Sequence, residues 1–260
     1  MKIKIISKKG DTWRFVLDGA TPALANALRR IMMSEVPTLA VEWVDFQDNT
    51  SPVFDEVVAH RLGMLPLIFD PKKFNFVDDC KCKGKGCPLC QVVFSLEKSG
   101  PATVYSGDMK SSNRGVKPAN PDFPVVRLLK GQHMKFEAFA VLGKGKDHAK
   151  WQAANVSYQY LPQIELKDLK DLKKVVNSCP KGVLGVKKRK LVLIDPFTCD
   201  ECRVCEEVSD KGVEIRSDPN KFVFRVESIS GLNPKDIILE SSLILEQKAN
   251  EFKSELRNIK

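Results

Sequence analysis

Eight cysteines in 260 residues are the strongest limit on how this chain folds. Cys80, Cys82, Cys87 and Cys90 form one tight set; Cys199, Cys202 and Cys205 form another; Cys179 stands apart, followed by Pro180. The first residues, Met1 to Gly10, have no apolar core of the length an export signal needs, and no apolar run approaches the roughly 20 residues that span a bilayer. A cytoplasmic setting is therefore expected, and there cysteines bind metals rather than pair as disulfides. With three histidines, His-rich catalytic metal sites are disfavoured. The formal charge of +9 suits a protein within a nucleic-acid machine, but the lysines are spread widely and select no partner by themselves.

Cys80-x-Cys82-x4-Cys87-x2-Cys90 supplies four thiolates from one short loop, and Gly84 and Gly86 let it fold back. Four sulfurs close a tetrahedral shell, so a zinc ion here would be structural. Lys81, Lys83 and Lys85 would offset its excess negative charge. The alternative is free thiols or a disulfide in a surface loop.

Cys199-x2-Cys202-x2-Cys205 places three thiolates as iron–sulfur clusters require. In two-cluster ferredoxins each such run gives its last cysteine, followed by proline, to the other cluster. Cys179-Pro180 fits that role. Its own run would then have had cysteines at 169, 172 and 175, which hold Leu169, Leu172 and Val175; the second run's last ligand would be at 209, which holds Ser209. One cluster's ligands are absent together and the other's are present together. One [4Fe–4S] cluster, or a three-iron form of it, on Cys179, Cys199, Cys202 and Cys205 follows, with zinc on the same thiolates as the alternative. The basic run Lys187 to Lys190 reads as a solvated hairpin, with nucleic-acid contact as a lesser reading.

Period-two alternation predicts a hairpin over residues 1–20, and strands over 92–96, 135–142 and 221–229. Thr21 and Pro22 open a helix that Pro37 ends. Residues 39–70 read as strands, loops and one short helix, and 107–124 as a long loop. Pro162 and the charged segment 165–177 read as a boundary followed by a short helix. Asn233 and Pro234 start a last helix, in which Ile238, Ser242, Leu245, Ala249, Phe252, Leu256 and Ile259 repeat at alternating spacings of four and three. That seam either packs on its own domain or is shared with another subunit. Gly143-Lys-Gly145 lacks the third glycine and the context of a dinucleotide loop and is set aside. His60 and His148 have no nucleophile beside them and read as packing or interface residues; Asp78 and Asp79 read as solvated.

Asn26-Ala-Leu-Arg29-Arg30-Ile-Met-Met-Ser-Glu-Val36-Pro37, with Asp55-Glu56-Val-Val-Ala-His60-Arg61-Leu62-Gly63, resembles the assembly subunits of cellular RNA polymerases. That family includes the bacterial alpha subunit's amino-terminal domain, the eukaryotic third-largest subunit and the archaeal D subunits. Gly143-x-Gly145-x-x-His148-Ala-x-Trp151 resembles a second family motif, the loop 80–90 the zinc loop of the eukaryotic branch, and the ferredoxin-like insertion the archaeal branch. The resemblance implies an α+β fold: an alpha-like dimerisation domain of 1–45 plus 225–260, with an antiparallel sheet and two long helices, an inserted β-rich domain of 46–165, and an inserted ferredoxin-like domain of 166–224. It implies a non-catalytic assembly platform for transcription, paired with subunit L through the seam of Leu245, Ala249, Phe252 and Leu256. Subunits N and P and the large catalytic subunits would dock on it, with Asn26, Arg29, Arg30, His60 and Arg61 on the docking surface and DNA reached only indirectly. The competing readings are a ferredoxin-like electron carrier and a free-standing zinc-dependent nucleic-acid binder.

Overall fold

A computed structural model describes residues 1–167, 171–210 and 212–258; Leu169 of the missing-ligand pattern and Ile259 of the helical seam lie outside the described residues. In chain order the main elements are β1 (Lys2–Lys9), β2 (Thr12–Asp18), α1 (Pro22–Ser34), β3 (Thr38–Asn49), α2 (Asp55–Gly63), β4 (Gln91–Ser99), β5 (His133–Gly143), β6 (Ala154–Leu166), α3 (Leu172–Ser178), β7 (Leu184–Lys187), β8 (Lys190–Leu193), α4 (Val204–Val208), β9 (Val213–Ser228) and α5 (Pro234–Asn258). The fold is α+β with antiparallel sheets, as expected. Two compact units are formed, Met1–Ala27 with Ser157–Val226, and Leu28–Val156 with Glu227–Lys260. No helix of the described chain is long and apolar enough to cross a membrane.

The first unit is built on a sheet of order β1-β2-β9-β6. Lys9, Gly10 and Asp11 make the expected turn, with Gly10 left-handed. Phe222, Phe224 and Val226 alternate inward from β9 and are fully buried. Phe15 of β2 stacks on Phe224 at 5.1 Å, and Tyr160 of β6 packs on Phe222 at the same distance. Two expectations need correction. Pro162 does not mark a boundary: it lies inside β6, an edge strand, where a residue without an N–H is tolerated. The strand expected at 221 begins at Val213, because Val213 and Ile215 are buried in a second small core with Val175, Val183, Leu184 and Leu191. The polar stretch Arg216 to Asn220 hides that start from period-two reading.

In the second unit β5 is the middle strand, paired with β3 on one side and β4 on the other. Met134, Phe136, Ala138 and Ala140 alternate inward along it. The segment 107–124, expected to be a long loop, contains the short strands Lys110–Ser111 and Lys117–Pro118. The Gly143–Trp151 motif works by packing. The Trp151 indole donates to the Val141 carbonyl at 3.2 Å, and the Thr38 hydroxyl donates to the Trp151 carbonyl at 2.8 Å. A Cβ on Gly143 would overlap the Trp151 ring, and one on Gly145 would stand 2.5 Å from the Met33 carbonyl. These glycines permit close approach; they do not cradle phosphate.

α5 opens as its sequence dictates, with the Asn233 side chain accepting from the Lys235 N–H at 2.9 Å. Pro234, Ile237 and Ser241 are buried, Ile244 and Leu245 half-buried, and every described residue from 246 onward is exposed. Gly143→Ala is expected to destabilise the fold by about 1–3 kcal/mol through overpacking. A lowered urea midpoint at unchanged slope would register it; an unchanged midpoint would refute the close approach.

Candidate metal centres

The loop before β4 is pinned at its base, where the Asn75 N–H donates to the Leu89 carbonyl at 2.8 Å. Lys83, Gly84 and Gly86 are left-handed and reverse the chain between the paired cysteines. Cys90 is buried and runs directly into β4, so the sheet fixes one corner of the set. The Sγ atoms of Cys80 and Cys87 are 3.5 Å apart, those of Cys82 and Cys90 3.6 Å, and those of Cys87 and Cys90 3.8 Å. A tetrahedron with metal–sulfur bonds of about 2.3 Å has edges of about 3.8 Å, so the four sulfurs already stand at the spacing of a zinc shell. Among the described residues they are the one set of four ligand atoms all within 4.8 Å of each other. This group can hold a metal ion.

The sulfurs do not ionise alike. Burial works against the Cys82 thiolate, but hydrogen bonds from Cys80, Cys90 and Cys87 outweigh it and bring the thiol down to about 7. Burial pushes Cys90 up to about 12, against a hydrogen bond from the Cys87 N–H. At Cys80 the Cys82 N–H favours the thiolate, but burial and the neighbouring thiols of Cys87 and Cys82 raise it overall. Without an ion, then, Cys82 forms its thiolate more readily than Cys80 or Cys90.

The second cysteine region sits on its own small core in the first unit. Asp171 caps α3, accepting from the Lys174 N–H at 3.2 Å, and α3 turns Val175 inward before ending at Cys179. β7 and β8 form the expected hairpin, joined by Lys188 and Arg189, both left-handed as a two-residue hairpin turn requires. The run Lys187 to Lys190 is exposed. Left-handed Glu201 and Arg203 bracket Cys202, and Cys205 lies in α4. The loop is tied to the sheet: Gln159 donates to the Cys199 carbonyl at 2.9 Å, and Arg14 to the Phe197 carbonyl at 2.6 Å. Cys179, Cys199, Cys202 and Cys205 all line one recess with an apolar floor that includes Val183 and Ile215. Burial pushes the Cys199 and Cys205 thiols above their ordinary range, with Asp200 adding to the effect at Cys199 and Cys179 at Cys205. Where a second cluster's ligands would have stood, Leu172 and Val175 pack into the core, and the Ser209 hydroxyl accepts from the Val213 N–H at 2.9 Å.

The remaining expected site residues are dispersed. Arg29 is half-buried, as is Asn26, and its guanidinium donates to the Met33 sulfur at 3.4 Å. Arg30, His60 and Arg61 are exposed, and Arg61 donates to the Val125 carbonyl at 2.6 Å. His148 accepts from the Lys150 N–H and meets the Trp151 ring edge-on, a packing role. Leu245 is half-buried, Ala249 is exposed, and Phe252 and Leu256 are 67% and 50% exposed. The sequence reading passed over Leu239 and Leu243, also exposed on α5; their spacing of four was the available signal.

Residues 44–163 match the family model of the RNA polymerase Rpb3/RpoA insert domain. The DNA-directed RNA polymerase subunit Rpo3 of Methanosarcina acetivorans is 38% identical, the alignment covering 97% of this chain and 97% of the relative. The subunit of the same name from Thermococcus kodakarensis is 39% identical over 100% of this chain and 99% of its own length. That of Methanothermobacter thermautotrophicus is 38% identical over 96% and 97%.

Metal uptake by the loop 80–90 must displace protons. With Cys80 raised and Cys90 near 12, zinc added to the chelator-treated chain at pH 7 is expected to release at least about two protons per ion, and affinity is expected to rise steadily from about pH 6, through the Cys82 value of about 7, and onward beyond pH 8. An indicator dye in weak buffer reads the release; proton-free, pH-independent binding would rule out thiolate ligation.

Proposed function

The chain belongs to the Rpo3 family of archaeal DNA-directed RNA polymerase subunits, and from that premise we propose that it is the non-catalytic platform on which the polymerase assembles. The observation that carries this reading is the outer half of α5. Phe252 and Leu256 are largely exposed on a helix whose first turns bury only Pro234, Ile237 and Ser241. An apolar strip of that kind on a helix otherwise rich in charge calls for a partner surface. Subunit L fills that role, with Leu245, Ala249, Phe252 and Leu256 as the shared seam. Subunits N and P and the large catalytic subunits dock on the rest of the platform. Asn26, Arg29, Arg30, His60 and Arg61 contribute to that surface, and DNA is met only through the assembled enzyme, in the cytoplasm. The domain division implied by the family resemblance, 1–45 with 225–260, 46–165 and 166–224, belongs to the same reading.

Two metal centres brace the platform. Zinc suits Cys80, Cys82, Cys87 and Cys90, whose sulfurs match a closed tetrahedral shell. An iron–sulfur cluster, [4Fe–4S] or its three-iron form, suits Cys179, Cys199, Cys202 and Cys205. In favour of it are an all-thiol donor set, the Cys-Pro spacing, and sulfurs set too widely for a single tetrahedral ion. When bound, the cluster supplies a multivalent cross-link that responds to redox state. The chain's own part is to hold the loop: Gln159 and Arg14 fix its carbonyls, and Val183 and Ile215 form an apolar floor beneath the sulfurs.

Co-expression with subunit L is expected to give a one-to-one complex, and Phe252→Ala with Leu256→Ala to weaken it at least about a hundredfold, as for two anchors at the centre of an interface. A complex indifferent to both changes would defeat the seam. Metal analysis separates the two centres: Cys202→Ser is expected to lose iron and keep zinc, and Cys82→Ser the reverse. Iron retained in Cys202→Ser, or zinc retained in Cys82→Ser, would overturn the assignment of that centre.

A further inference from the structure

α5 exposes a second apolar surface that the seam does not use. Leu239 and Leu243 are one helical turn apart and are 53% and 58% exposed. At 3.6 residues per turn they lie roughly 140° around the helix from Phe252 and Leu256, so one partner helix seated on the seam does not cover them. They form one wall of a groove of about 580 Å³ whose other apolar residues include Val36, Pro37, Pro71 and Leu232.

The groove is held by backbone. Pro37 follows the end of α1, the turn Pro71–Lys73 is capped by Asp70, and Gly231 lies so close to the Leu67 carbonyl that a Cβ would overlap it. A wall fixed this way does not collapse onto the leucines, so their exposure is a lasting property of the surface.

The rim has a sign. Asp70, Asp236 and Glu240 border the groove against a single cation, Lys72. Asp70 is engaged by Lys73 at 3.6 Å, whereas Asp236 and Glu240 have no ion pair among the described residues. Glu240 also borders the next recess along α5, where Asp78, Asp79, Asp147 and Glu251 face Lys144 and Lys146, and where Glu35 and Lys248 are paired with each other. An acidic surface on a chain of net charge +9 is a local inversion, and it complements lysine and arginine.

The geometry points to a second docking site on α5: the Leu239–Leu243 groove receives a basic segment of another polymerase subunit. That segment is anchored by apolar side chains between the leucines and Pro71, with Lys or Arg against Asp236 and Glu240. Its owner is a different chain from the one on the Phe252 seam. The inference rests on the polymerase reading above.

The test uses the whole polymerase. A photo-crosslinking benzoylphenylalanine replaces Leu243 in one preparation and Phe252 in another, and the adducts are mapped by mass spectrometry. The expected result is two different partner subunits, with the Leu243 adduct in a segment bearing Lys or Arg. An adduct to the same subunit as Phe252, to a segment without basic residues, or to nothing would overturn the second site. A Phe252 preparation without adduct would count against the seam alone. Asp236→Lys, which is exposed, with Glu240→Lys, which is half-buried, is expected to weaken retention of the Leu243-linked subunit about tenfold near 0.15 M salt, with the difference shrinking at 1 M as the charges are screened. Unchanged retention at low salt would remove the electrostatic part and, with it, the basic partner.

Discussion

The arrangement of both cysteine regions depends on where the backbone carries their sulfurs. Neither loop has enough apolar surface to fold alone: residues 78–91 are mostly lysine, glycine and cysteine, and the second region has only a small cluster of aliphatic side chains beneath it. Thiols gain little from one another, and burial raises those of Cys80, Cys90, Cys199 and Cys205 above their ordinary range. A metal reverses that balance, because ligation turns a cost of burial into folding free energy. The neighbouring sheets are built to receive these loops, with Cys90 running into β4 and the Cys199 carbonyl held from β6 by Gln159.

The two sulfur sets differ in ways that follow from their backbones. In the first, glycines and left-handed Lys83 compress four ligands into one turn of chain, and the resulting edges suit a single ion. In the second, Cys179 comes from the end of a helix and the other three from a loop beyond a hairpin, so the donors ring a recess instead of meeting at a point. The positions that would have served another cluster are absorbed into the hydrophobic core at Leu172 and Val175. Aliphatic side chains thus fill the core beneath the cysteine loop on that side.

Much of this was legible in the sequence, where the signals are local. The β1–β2 hairpin, the Asn233 start of α5, the inward row of Phe222, Phe224 and Val226, and both cysteine sets rest on spacings of a few residues. The misreadings arose where tertiary context decides. Pro162 looks like a break until β6 is known to be an edge strand, and β9 begins within a polar run because Val213 and Ile215 serve a different core from the rest of the strand. Gly143 and Gly145 were rightly set aside as a phosphate loop, but their reason, close approach to a tryptophan eight residues from the first, is visible only in the fold. Leu239 and Leu243 were passed over for the opposite reason: apolar residues at helical spacing are ordinarily core, and only the fold shows these two facing outward.

The gradient of burial along α5 has a consequence for the life of the subunit in a cell. Its first turns are held by their own unit, while the outer turns carry Phe252 and Leu256 in the open. On the assembly role proposed above, a copy without its partner would leave Phe252 and Leu256 open on a charged helix, and a paired copy would cover them. Chaperones and proteases that recognise exposed aromatic and aliphatic side chains can tell the two apart without any dedicated signal. In that proposed role, the same helix would mark unpaired copies for removal and keep the subunit's abundance matched to that of its partner.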